Sequence, residues 1–86
     1  MTSSNPWFVY IVEAENGNLY TGITTDLDRR FKEHQSKQKG ARFFNTSAAK
    51  ALIYHETQPD RSHASKRESA IKKLSRQAKI KLIENH

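Results

Sequence analysis

Two short runs of β-branched and aromatic residues, Phe8-Val9-Tyr10-Ile11-Val12 and Leu19-Tyr20-Thr21-Gly22-Ile23, flank Glu15-Asn16-Gly17-Asn18, and no other stretch constrains the fold as much. Asn and Gly accept the positive φ that tight hairpin turns demand, so the two runs read as an antiparallel hairpin. The chain passes directly from there into Thr25-Asp26-Leu27-Asp28-Arg29-Arg30-Phe31-Lys32-Glu33-His34. Thr25 is expected to cap the first free amides of a helix over 26–37. Asp26 and Asp28 meet the favourable end of the helix dipole, Asp28 serving as a shorter capping-box residue. Leu27, Arg30 or Phe31, and His34 share one stripe of that helix. A guanidinium beside an apolar stripe either snorkels into water or lines a cleft with an anionic partner.

Downstream, the stretch from Ser36 to Ala49 lacks periodicity and reads as a loop. Arg29, Lys37, Lys39, Arg42 and Lys50 are candidates to track a phosphate backbone, with Phe43 or Phe44 stacking on a base or capping the core. Lys50 to Glu56 alternates like a third strand, which Gln58-Pro59-Asp60 ends. A second helix, capped by Ser62 or Ser65, is expected through Lys73. Its stripe is Ala64, Arg67 or Glu68, Ile71, and Leu74 or Ser75. A last helix from about Arg76 to Ile83, capped by Ser75, is expected to pack Ala78, Ile80, Leu82 and Ile83. These elements predict an α+β fold, a small three-stranded antiparallel sheet flanked by helices.

A chain of 86 residues has room for one small core, so a single domain is expected over 7–84 behind a flexible N-terminus at 1–6. Fifteen Lys and Arg against nine Asp and Glu give a formal charge of +6, the footprint of a protein that meets a polyanion. The absence of cysteine excludes disulfides, thiol catalysis and Cys-ligated zinc. No apolar run approaches membrane-spanning length, and Met1 to Pro6 lacks a basic-then-apolar progression, so a cytoplasmic protein with no membrane partner is expected.

Arg30 and Glu68 fall at the edges of two apolar stripes with opposite charge. They read either as a partly buried salt bridge or as groups facing one cleft where Tyr10 and Tyr20 also emerge. The ordered combination Val9-Tyr10-Ile11, Tyr20-Thr21-Gly22, Asp26-Leu27-Asp28-Arg29-Arg30-Phe31, His34 and Lys66-Arg67-Glu68 resembles the GIY-YIG nuclease superfamily over Trp7 to about Ile83, most of all its small stand-alone bacterial members. The first triplet here is Phe8-Val9-Tyr10, without the eponymous Gly. The second is Tyr20-Thr21-Gly22, without the Ile. Ile23 stands where some relatives carry a polar residue.

The resemblance implies that Tyr10, Tyr20, Arg30 and His34 are catalytic and that Glu68 holds a single divalent ion, Mg²⁺ or Mn²⁺. Asn85 is the nearest match to a late asparagine of the family. The implied activity is cleavage of a nucleic-acid phosphodiester, DNA before RNA, in repair or recombination. Without an attached DNA-binding domain, a protein partner supplying specificity is expected.

The chemistry suits these residue types. Arg30 can clamp the non-bridging oxygens of a phosphate that gains charge in the transition state, and a carboxylate suits a hard cation. Tyrosine, with a pKa near ~10, becomes a base at neutral pH only if Arg30 and the metal favour its phenolate. His34 either orients a tyrosine hydroxyl or takes its proton. Two other classes fit the same residues: a nucleic-acid-binding module that has lost catalysis, and a basic protein-interaction domain.

Overall fold

In the computed structural model, which describes residues 6–36 and 48–85, the hairpin forms as its turn chemistry dictates. Strands β1 (Trp7–Ala14) and β2 (Leu19–Thr24) meet at a turn in which Gly17 takes φ +88°. Asn16 Oδ1 there accepts the Asn18 amide at 3.0 Å. Helix α1 (Leu27–Ser36) follows, then β3 (Ala49–Gln58), α2 (Arg61–Lys72) and α3 (Arg76–Glu84). The three-stranded sheet has the order β2-β1-β3 with both pairings antiparallel, as expected. The expected flexible N-terminus, except Pro6, and the stretch carrying Lys37, Lys39, Arg42, Phe43 and Phe44 lie outside the described residues.

Strand β1 is central, so the two-residue alternation of a strand distributes its side chains to two cores. Tyr10, Val12 and Ala14 pack with Ala49, Leu52, Tyr20 and the α1 residues Leu27 and Phe31. Val9 and Ile11 pack on the other face with Ala64 and Ile71 of α2, and with Leu82 and Ile83 of α3. The α1 helix therefore covers one face of the sheet while α2 and α3 cover the opposite one.

Strand β3 is less regular than its sequence implies. Ile11 pairs with Tyr54 but Val12 with Leu52, and Glu13 pairs with Ala51 but Ala14 with Ala49. Ile53 and Lys50 are thus extra residues that bulge the edge strand, the means by which sheets keep open edges from pairing with another chain.

The helix caps correct two expectations. Asp26, not Thr25, caps α1: its Oδ1 accepts the Arg29 amide at 3.1 Å, and Thr24 Oγ1 in turn accepts the Asp26 amide at 3.1 Å. Asp60, not Ser62 or Ser65, caps α2 by accepting the His63 amide at 2.8 Å. In both cases an Asp sits where its carboxylate reaches the amide three residues on, and a negative group is favoured there by the helix dipole. Ser75 caps α3 as its sequence predicts, accepting from Ala78 at 3.1 Å. Ile80 is 37% exposed, so the apolar face of α3 is narrower than expected and Leu82 and Ile83 carry its packing; Leu74, expected on the α2 stripe, lies past the end of α2 and is likewise 37% exposed.

Candidate active site

The cluster begins with the cross-strand pair Tyr10 and Gly22. Residues directly opposite in an antiparallel ladder project to the same face, so a side chain at position 22 would occupy the space of the Tyr10 ring. A Cβ placed on Gly22 would lie 2.6 Å from Tyr10 Oη and 2.7 Å from Cζ, well inside contact distance. Glycine at 22 is what allows Tyr10, 2% exposed, to lie flat along β2. Tyr20, two residues earlier on β2, shares that face, with its ring centroid 6.3 Å from that of Tyr10.

Helix α1 completes the cluster from above. His34 is fully buried, with its ring 5.9 Å from Tyr10 and 5.2 Å from Tyr20. Its Nε2 lies 2.9 Å from Tyr10 Oη. Arg30, one turn earlier, hydrogen-bonds the same hydroxyl and donates through Nη1 to Glu33 Oε1 at 2.9 Å. A guanidinium has only donors. The Tyr10 oxygen therefore accepts from Arg30, and its second bond, to His34 Nε2, runs in the direction that the histidine tautomer sets.

Burial, and then the positive charge of Arg30, push the His34 pKa down to about 4, so the ring is neutral at physiological pH and one of its two nitrogens is an acceptor. Burial, and then the neighbouring Tyr20, push Tyr10 up to about 12. Arg30 opposes this through its hydrogen bond and charge, but desolvation wins. Arg30 thus acts on Tyr10 in the expected direction, but by itself it does not outweigh burial. Partial burial works against the Arg30 charge too, yet its hydrogen bonds to Glu33 and Tyr10 hold its pKa above the ordinary guanidinium value.

Glu68 projects from α2 close enough for its charge to act on Tyr10. Its side chain is 22% exposed and accepts from Lys72 Nζ at 3.3 Å, the local i, i+4 pair its spacing allows. Of the two sequence readings for Arg30 and Glu68, the observed ion pairs are local, Arg30 with Glu33 and Glu68 with Lys72. Among the described residues no three His, Asp or Glu side chains gather as a metal-binding group. One half-buried carboxylate near the Arg30 cation suits Mg²⁺, which usually keeps several waters and takes one or two carboxylates together with substrate phosphate oxygens.

Tyr10, Tyr20, Arg30 and His34 thus converge, with Glu68 in electrostatic reach. The expected backbone-tracking residues do not gather there: Arg29 is exposed on α1, and Lys50 is exposed at a β3 bulge. Asn85 ends α3 and lines a separate cavity of about 400 Å³ with Tyr54, His55, Glu56, Thr57 and Leu82. Glu33, which helical spacing puts on the outer face with Lys32, instead turns to Arg30, and its place three residues after Arg30 on one helix is a signal for that pairing.

Residues 6–81 match the GIY-YIG catalytic domain. This chain belongs to the GIY-YIG family. A UPF0213 protein of Desulfotalea psychrophila is 52% identical over 82 residues, which are 95% of this chain and 74% of that protein. The solution NMR structure of a UPF0213 protein from Bacillus halodurans superposes with a TM-score of 0.58 at 34% identity, covering 92% of this chain and 83% of the other. That of a protein from E. faecalis gives a TM-score of 0.63 at 31% identity, covering 100% and 92%. Membership of GIY-YIG places the chain in a nuclease superfamily and points to a nucleic-acid substrate and to a divalent metal ion, which these nucleases generally use. Among the described residues no helix is long and apolar enough to cross a membrane.

Proposed function

We propose that the protein is a metal-dependent endonuclease that hydrolyses phosphodiester bonds of DNA. The observation that carries this reading is the Tyr10 hydroxyl held between Arg30 and His34 Nε2, the latter at 2.9 Å. A half-buried cation on one side of the hydroxyl and a neutral imidazole on the other supply an anion-binding donor and a proton acceptor. A proton relay needs both.

Arg30 binds the non-bridging oxygens of the scissile phosphate, releasing Glu33, and the negative charge that develops there finds donors already in place. Tyr10 is not a free phenolate. It takes a proton from the attacking water at Oη as its own proton passes to His34 Nε2, so one proton enters the hydroxyl and one leaves. Burial is the main cause of the depressed His34 pKa and the Arg30 charge the second; a phosphate bound at Arg30 offsets that second cause and so raises the proton affinity of His34. Tyr20, the more exposed tyrosine, hydrogen-bonds the phosphate or the water. Glu68 would hold a single Mg²⁺ or Mn²⁺, whose Lewis acidity would supply charge stabilisation for the leaving oxygen.

The test is cleavage of a labelled branched DNA by purified protein with Mg²⁺ or Mn²⁺. Arg30→Ala and Glu68→Gln, checked as folded by circular dichroism, are expected to abolish cleavage, and chelation is expected to do the same. Cleavage unchanged in both variants assigns it to a contaminant and overturns the reading.

A further inference from the structure

Charge is unevenly spread over the two helical layers. At the start of α1 the exposed residues Asp26, Asp28, Arg29 and Lys32 are two of each sign, which leaves that surface close to neutral. Between Ser69 and Ile83 the chain carries Lys72, Lys73, Arg76, Lys79 and Lys81 and no acidic residue. The fold gives this run a direction. Lys72 touches Glu68 at 3.3 Å, and Glu68 acts electrostatically on Tyr10, so one end of the run adjoins the catalytic cluster. The other end is a shallow cavity of about 210 Å³ where Arg76 and Lys79 come against Asn18 and Leu19, at the foot of the strand that carries Tyr20.

We infer that Lys73, Arg76 and Lys79, at the junction of α2 and α3 beside the hairpin turn, form the track along which the backbone of the nucleic-acid substrate runs to the site. The inference rests on the nuclease reading only for the identity of the polyanion. Arg76 and Lys79 converge from successive turns of one helix on one concavity, and Asn18 adds an amide that serves a phosphate oxygen or a sugar hydroxyl. The residues that the sequence alone marks for this role, Arg29, Lys37, Lys39, Arg42 and Lys50, lie in the other layer, at a bulge, or outside the described residues. A purely compositional reading of the basic pI misses the track, because its sign asymmetry emerges only once the layers are assigned.

The experiment is fluorescence anisotropy of a fluorescein-labelled oligonucleotide in EDTA over a salt series, with the full chain. Arg76→Gln/Lys79→Gln is compared with Lys32→Gln/Arg61→Gln, an equal change in net charge elsewhere. Each phosphate contact contributes about 0.7–0.9 to the slope of log affinity against log salt. The track variant is expected to lose about 1.5 from that slope and to bind about tenfold more weakly at the lowest salt, while the comparison variant keeps the slope of the unsubstituted protein. Equal losses in both variants, or no loss in the track variant, overturn the inference while leaving cleavage to judge the nuclease reading. Loss confined to the track variant in a protein that never cuts sustains the track and overturns the nuclease. Absence of binding by the unsubstituted protein at low salt overturns both.

Discussion

The sheet carries a tyrosine-centred polar cluster on each face, and the two are built on opposite principles. On the α2 face Tyr54, Glu56 and Gln58 alternate along β3, and every donor meets the Glu56 carboxylate. Tyr54 Oη donates to it at 2.5 Å, Gln58 Nε2 at 2.6 Å, and Arg67 Nε to both oxygens at 3.1 and 3.0 Å. Burial opposes the Glu56 charge, but these bonds hold its pKa below the ordinary carboxylate value, and Arg67 is correspondingly raised, first by its hydrogen bond to Glu56. On the α1 face Tyr10 and His34 are driven in opposite directions, each away from its charged form, beside a guanidinium.

The first cluster is electrically closed and stabilises the fold. The second is held in protonation states that substrate charge can change, the pattern expected of a functional site. The difference teaches that a buried polar group is informative only once its partners have been counted.

The comparison is broken most decisively by Arg30→Ala. Its expected effect is a loss of cleavage of about 10²–10³-fold, as for removal of a transition-state donor, with the melting temperature little changed, both read on one preparation. A large fall in stability with cleavage kept per folded molecule would make the α1 cluster as structural as its counterpart.

Acid comes next. The folded His34 pKa of about 4 lies below the ordinary 6.5, so between those values the unfolded chain binds the extra proton. Stability present above pH 6.5 is therefore lost as pH falls toward 4, by up to about 3 kcal/mol. Urea midpoints at pH 7 and pH 4.5 measure this, and His34→Gln should flatten the difference.

Glu56→Ala strands the Tyr54, Arg67 and Gln58 donors and is expected to cost about 2 kcal/mol in urea unfolding, with cleavage per folded molecule retained. Gly22→Ala presses on Tyr10 and should cost between about 1 and 3 kcal/mol. It differs from Glu56→Ala in that cleavage falls beyond the loss of folded protein. The smallest change is Arg67→Lys, about 1 kcal/mol, because an ammonium on a flexible stem does not reproduce the guanidinium geometry on Glu56.

Much of this organisation is legible in the chain. Asn16-Gly17 announces the hairpin, and the spacing of Arg30 and His34 puts both on the covered side of α1, because turn chemistry and helical period are local rules. The caps were misread where several capping residues stand together. In Thr24-Thr25-Asp26 and in Pro59-Asp60-Arg61-Ser62, the backbone decides which side chain faces the free amides. Asp60 also marks the end of β3, which hides its second role. The bulges at Lys50 and Ile53 and the bond between Glu56 and Arg67, eleven residues apart on different layers, depend on a partner strand or helix that no local pattern specifies. The rise of the Tyr10 pKa was illegible for the same reason, since desolvation is a property of everything packed around a group.

Gly22 has one consequence for how the molecule reaches its working state. The hairpin register that places Gly22 opposite Tyr10 is also the one that leaves a gap for the ring. A slip of one residue would bring Thr21 or Ile23 opposite instead, and either side chain would collide with the phenol. The register of the hairpin is in this way held by the fit of one ring over one glycine, so a misaligned pairing carries a steric penalty.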